Sequence, residues 1–150
     1  MIVSKNININ NSLQINSCAK LYTQISTKND FIELYKYIKN NDLTYLVIGE
    51  GTNIVLPETF SGIVIALSFN ELSFDNDLKT VRAGASLNWH NFVCECIKNN
   101  IHGFENLSLI PGSVGAAPIQ NIGAYGQEVS KLIKNVHCFD LNSGEFITLD

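Results

Sequence analysis

Five of the ten glycines and two of the three prolines fall between Gly103 and Gly126, where Glu105 is the only charged residue. Such a segment is too broken for one helix or strand and too apolar for a solvated loop. Its backbone N–H and C=O groups must nevertheless find partners. Small residues such as Gly112, Gly115, Ala116 and Ala117 let a main chain come close to a flat or anionic ligand. Two readings follow: a tightly packed connection between lobes, or a loop that lines a ligand. The composition fits the second better.

A second glycine-rich stretch, Gly49-Glu50-Gly51-Thr52-Asn53, follows the apolar run Tyr45-Leu46-Val47-Ile48. A turn directly after a buried strand can aim successive N–H groups at an anion. Thr52 and Asn53 add side-chain donors. On this reading a side chain at Gly51 would push the anion away. The stretch lacks the Lys of a phosphate-binding Walker loop. It also lacks the third Gly and following helix of the dinucleotide fingerprint.

Around these segments the chain reads as α+β. Residues up to about Asn16 form an edge strand or a loose arm. Phe31, Leu34, Tyr35 and Ile38 recur as one face of a helix, with Thr27, Asn29 or Asp30 as caps and Asn40-Asn41-Asp42 at its end. A buried strand at 45–48 and another at Ile63–Leu67, after a turn at Ser61-Gly62, complete a first lobe spanning 1–68. The second lobe, 69–150, has short strands near Leu72–Phe74 and Thr80–Ala83. A helix capped by Ser86 follows, with Trp89, Phe92, Val93, Cys96 and Ile97 as its core stripe. A hairpin, Val136–Leu141 with Glu145–Leu149, ends this lobe, which reads as incomplete.

Composition closes several doors. A net charge of −4 and a pI of 5.3, with no basic cluster, argue against nucleic acid or an anionic membrane as partner. Cys18, Cys94, Cys96 and Cys138 have neither metal-site nor disulfide-framework spacing, which suits a reducing, cytoplasmic compartment. His90 stands four residues before Cys94, enough at most for a two-ligand site, so no metal is expected. The start has no signal-peptide core, and the longest aliphatic run is far too short to cross a bilayer. His90, His102 and His137 lie far apart, and no nucleophile elbow is present. Glu105 reads equally as a cap or as a base. The residues alone therefore reach a nucleotide or flavin site in a two-lobed α+β chain.

Four stretches resemble, in order, the UDP-N-acetylenolpyruvoylglucosamine reductase family. Asn11-Ser12-Leu13-Gln14-Ile15 is loosely similar to that family's opening motif, without its aromatic and Gly. Leu46–Asn53 resembles its Gly-x-Gly-Ser-Asn turn, with Thr52 keeping the hydroxyl. Ala83-Gly84-Ala85 before Trp89-His90 resembles its strand–helix junction. The long run from Glu105-Asn106-Leu107 through Ile110-Pro111-Gly112 and Pro118-Ile119-Gln120-Asn121-Ile122-Gly123-Ala124-Tyr125-Gly126 to Glu128 is close to its signature.

The resemblance implies the family's amino-terminal portion: a two-lobed domain of the vanillyl-alcohol-oxidase (PCMH) type holding FAD non-covalently. By it, Gly49, Gly51, Thr52 and Asn53 bind the pyrophosphate. Ile110, Pro111, Gly112, Gly115, Ala116, Ala117, Ile119, Gln120, Asn121, Gly123 and Tyr125 line the flavin. It further implies NADPH as reductant and hydride transfer to the enolpyruvyl group of UDP-GlcNAc-enolpyruvate, in peptidoglycan precursor synthesis, by a monomer. The Arg, Glu and Ser that complete catalysis in that family have no match in 1–150, so no catalytic residue is assigned. The rival readings are an oxidase of the same fold and a non-catalytic flavin-binding module.

Overall fold

The computed structural model describes all of Met1–Asp150. Its chain divides into two compact units, Met1–Ser68 with Asn135–Asp150, and Phe69–Lys134.

The first unit is built on a four-stranded sheet. Strand β1 (Val3–Asn8) is an edge strand, antiparallel to β2 (Cys18–Ile25). Helix α1 (Lys28–Asn41) leads to β3 (Tyr45–Ile48), and β4 (Thr59–Leu67) then inserts between β2 and β3, parallel to both. The sheet order β1-β2-β4-β3 leaves β3 at an edge, so Tyr45 and Val47 are exposed and only Ile48 is buried. The expected buried strand is therefore only partly buried. Central β4 takes the burial instead, with Ile63, Val64 and Ile65 at 1% exposure or less.

Ser61 and Gly62 do not form a turn. They lie within β4, where pairing with β2 passes from Ala19↔Phe60 to Leu21↔Ile63. Two residues of β4 thus oppose one of β2, the pattern of a β-bulge. A Cβ on Gly62 would stand 2.2 Å from the Thr44 carbonyl oxygen, so close backbone approach requires glycine there.

Thr27 caps α1. Its hydroxyl accepts from the Asp30 N–H, while the Asp30 carboxylate accepts from the Thr27 and Ser26 N–H groups, completing a capping box. Asp42, in the left-handed conformation, closes the other end. Leu34 and Ile38 are buried, whereas Phe31 faces elsewhere: its ring stacks on Phe139 and meets Phe146 edge-on.

The second unit opens with the hairpin β5 (Leu72–Asp75) and β6 (Thr80–Ala83) and continues into α2 (Trp89–Lys98). Asn88, not Ser86, caps α2, accepting from the Asn91 N–H. The Ser86 hydroxyl instead receives the Phe69 N–H. A 3-10 turn (Glu105–Leu107), a single-turn helix α3 (Ala117–Gln120), a small hairpin β7 (Gly123–Ala124) with β8 (Gln127–Glu128), and a second 3-10 turn follow. Their core is Trp89, Phe92, Val93, Cys96, Ile101, Leu107, Ala117 and Val129. Trp89 is a core residue, and its indole N–H donates to the buried Leu107 carbonyl at 2.7 Å.

The closing hairpin, β9 (Val136–Asp140) with β10 (Glu145–Leu149), corrects the expected boundary, because it belongs to the first unit and not the second. The cause is aromatic: Phe139 and Phe146 form a cluster with Phe31 of α1, and Gly144 packs on the Tyr35 ring. No helix is long and apolar enough to cross a membrane.

The α1 cap sets a pH dependence. Hydrogen bonds, first from the Ser26 N–H and then from Thr27, hold the Asp30 carboxyl well below the usual carboxylate range. A depressed folded value stabilises the fold above the unfolded carboxylate pKa, and that contribution is lost as pH falls below about 4. Asp30→Asn is expected to cost about 1 kcal/mol at neutral pH and to flatten the loss of stability between about pH 5 and pH 2. Urea unfolding across that range checks both.

Candidate functional site

Each of the two glycine-rich segments is braced by its own unit. In the first, β3 runs into Gly49–Asn53, and Gly51 is buried with φ +67°. A Cβ there would lie 2.8 Å from the Asn10 carbonyl and 3.0 Å from Asn11 Cα. The Gly51 carbonyl accepts from the Ser12 N–H at 3.0 Å, and the Ser12 hydroxyl reaches the Gly51 and Thr52 carbonyls. Asn11 in turn knots its own segment, accepting from the Ile15 N–H and donating to the Ile9 and Ile15 carbonyls. Asn11 and Ser12 are thus positioning residues for the turn. In sequence they stand in an Asn-rich stretch that reads as an edge strand or a loose arm, with a loose motif match.

This corrects the reason for glycine at position 51. The missing side chain makes room for the Asn10–Asn11 backbone, and positive φ excludes most other residues. Thr52 and Asn53 follow it with a hydroxyl and an amide.

In the second unit the long loop is held by a short backbone ladder. Trp89 N–H donates to Gly112 C=O, Val114 N–H to Leu87 C=O, and Gly115 N–H to Ala85 C=O, at 2.8, 2.9 and 2.8 Å. Ser113, itself buried, accepts from the N–H groups of Ala116 and Ala117. A Cβ on Gly115 would stand 2.7 Å from that of Ala85, so its small size serves packing.

The loop residues then sort into two sets. Ala117 is 3% exposed within the core, and Ile110 is half-buried against that core. Ala117 therefore does not present its side chain to a ligand, because the apolar interior has claimed it. Gly112 is also buried. Pro111, Gln120, Asn121 and Gly123 are exposed, as are Ile119 at 82% and Tyr125 at 89%. Asn121, left-handed at the end of α3, links to Glu128 and to the Ser130 N–H. Tyr125 and Gly126 both have positive φ, the requirement for a tight type I′ turn, and join β7 to β8. The outcome is a locked, uncharged backbone carrying large apolar side chains into solvent.

Glu105 is not a poised base. Its carboxylate accepts from its own N–H, from His102 Nδ1 at 2.9 Å and from the Gly103 N–H at 2.7 Å, and these bonds hold its pKa below the ordinary value. No group of three His, Cys, Asp or Glu residues could hold a metal ion.

The FAD binding domain family matches residues 19–150. The chain is 37% identical over 142 residues to the UDP-N-acetylenolpyruvoylglucosamine reductase of Polynucleobacter asymbioticus, covering 93% of this chain and 41% of the relative. To that of Bdellovibrio bacteriovorus it is 39% identical over 145 residues, covering 95% and 43%. The crystal structure of the corresponding reductase (MurB) from Thermus caldophilus superposes with a TM-score of 0.73 at 27% identity, covering 93% of this chain and 48% of that one. The chain thus spans less than half the length of the relatives it matches. The α+β fold is that of the PCMH-type FAD domain.

Gly51→Ala is expected to cost about 1–3 kcal/mol through strain and the clash with Asn10. A melting curve would then fall by several degrees, at about 2–4 °C per kcal/mol, with no ligand present. An unchanged melting temperature would return the glycine requirement to the ligand.

Proposed function

The chain belongs to the FAD binding domain family, and from that premise we propose that it is the flavin-holding part of an NADPH-dependent reductase of UDP-N-acetylenolpyruvoylglucosamine. The observation that carries the reading is the second unit's loop, which keeps Ile119 and Tyr125 exposed on a backbone locked to the core. Exposed apolar side chains on a rigid, uncharged support are a surface built for an apolar planar group.

When bound, FAD would supply the two-electron hydride chemistry. Gly49, Gly51, Thr52 and Asn53 would hold its pyrophosphate through N–H, hydroxyl and amide donors. Pro111, Ile119, Gln120, Gly123 and Tyr125 would line its ring and ribityl side. The segment Ile110–Gly126 contains no His or Cys, so it offers no imidazole or thiol for a covalent flavin link, and non-covalent binding is the reading adopted. The four free thiols suit a reducing compartment such as the cytoplasm.

Exposure separates binding from folding. Ile119→Asp and Tyr125→Ala should leave the melting temperature unchanged, because surface substitutions of this kind usually cost within about 0.5 kcal/mol. Each should weaken FAD by roughly tenfold, about 1.4 kcal/mol, read by quenching of flavin fluorescence. Parental affinity in both variants would remove the loop from the flavin site.

A second expectation concerns turnover. Hydride delivery to an enolpyruvyl group builds negative charge beside its carboxylate, which calls for a cationic or hydrogen-bonding clamp and a proton donor. Neither glycine-rich segment contains Lys or Arg. A missing donor of that kind typically costs about 10²–10³ in rate. The polypeptide 1–150 with FAD and NADPH is therefore expected to consume NADPH at the same slow rate with and without UDP-GlcNAc-enolpyruvate. Substrate-dependent consumption would place the clamp within these residues.

A further inference from the structure

Eight residues other than glycine hold a positive φ. Four are Asn or Asp (Asn6, Asp42, Asn100 and Asn121), the types that enter the left-handed region most readily. Lys79 and Tyr125 lie in the β5–β6 and β7–β8 connections, where hairpins call for it. Gln14 at +55° and Leu109 at +62° remain. Leu109 belongs to the second unit's long loop, and the loop of Gln14 is bonded to the Gly49–Asn53 turn. Backbone strain of this kind gathers where proteins bind or react.

The Leu109 N–H is tied to the fold through His90 Nδ1 at 3.3 Å. At Gln14 the fold explains the conformation but not the side chain. The Gln14 N–H donates to the Asn11 carbonyl at 3.1 Å, and the Ile15 N–H to Asn11 Oδ1 at 3.0 Å. Both bonds need the chain to turn back on Asn11, which the left-handed step at Gln14 achieves. Glycine would take that step without strain. The Gln14 side chain is exposed, and its amide bonds to no protein group. It adds nothing to packing, yet a side chain in this region costs stability.

The loop's position gives that amide a task. Ser12, two residues earlier, donates its N–H to the Gly51 carbonyl at 3.0 Å, and its hydroxyl reaches the Gly51 and Thr52 carbonyls. Gln14 thus stands beside the turn, within the same unit. The turn contains no Lys or Arg, so phosphate binding there draws on neutral donors. A side-chain amide supplies two more N–H groups. We propose that Gln14 is a further contact of the bound flavin nucleotide, its amide donating to the pyrophosphate at Gly49–Asn53. The inference rests on the flavin reading above and adds a residue from outside both glycine-rich segments.

Two variants of the full chain test it, each titrated with FAD by flavin fluorescence and melted without it. Gln14→Gly should melt no lower than the parent, because relief of strain offsets the greater freedom of glycine in the unfolded chain. It should nevertheless bind FAD about tenfold more weakly, the size of a lost hydrogen bond to a charged group. Gln14→Glu keeps the length and the strain but brings a carboxylate to the phosphates. It should bind more weakly still, and the added loss should shrink in high salt. Parental affinity in either variant, with FAD bound by the parent, overturns the proposal and leaves the flavin reading standing. A melting temperature that falls with affinity in Gln14→Gly also overturns it, since the side chain then serves the fold. A parent chain that fails to bind FAD overturns both.

Discussion

Everything in the second unit depends on how the long loop disposes of its backbone polar groups. A run so rich in Gly and Pro cannot satisfy them by its own regular structure. It does so by borrowing the strand–helix junction: Gly112, Val114 and Gly115 pair with Trp89, Leu87 and Ala85. That pairing fixes the start of α2, places Trp89 in the core and holds its indole against Leu107. With the backbone paid for in this way, the side chains are free to divide, Ala117 inward and Ile119 and Tyr125 outward.

The first unit uses the same device with different parts. The turn after β3 is held from behind by Ser12 on the Gly51 carbonyl, and Asn11 closes its own short loop by side-chain hydrogen bonds to Ile9 and Ile15. Side chains such as Asn compete well for local backbone groups. The Asn-rich start of this chain, readable as an edge strand or a loose arm, therefore contributes an edge strand and a knotted loop. In each unit a glycine of the glycine-rich segment, Gly51 in one and Gly115 in the other, faces protein backbone.

Charge has a small part. Hydrogen bonds lower the pKa values of Asp30 and Glu105, and in each case the carboxylate ties down local backbone: a helix start at Asp30, a 3-10 turn at Glu105. Neither is prepared for proton transfer. The flavin reading accords with that, since a protein that holds FAD contributes binding and orientation more than acid–base chemistry.

The α1 stripe, the hairpins and the Trp89 helix were legible because each follows a local period of 3.6 or 2. The two glycine-rich segments were legible from composition, and their order from resemblance to a known signature. Strand β2 carries the same period of 2, with Ala19, Thr23 and Ile25 buried and Lys20 and Gln24 exposed between them, but local sequence could not give its central place in the sheet. Nor could it give the edge position of β3 or the bulge at Ser61–Gly62, since these depend on which strand lies alongside. The destination of the last hairpin was equally hidden, because Phe31 and Phe139 are more than a hundred residues apart in sequence and meet only through aromatic packing. The sequence by itself determined the elements with a local period and the two glycine-rich segments. Tertiary structure alone decided which face of each segment is spent on the core and which is left exposed, because that division depends on contacts between residues distant in the chain.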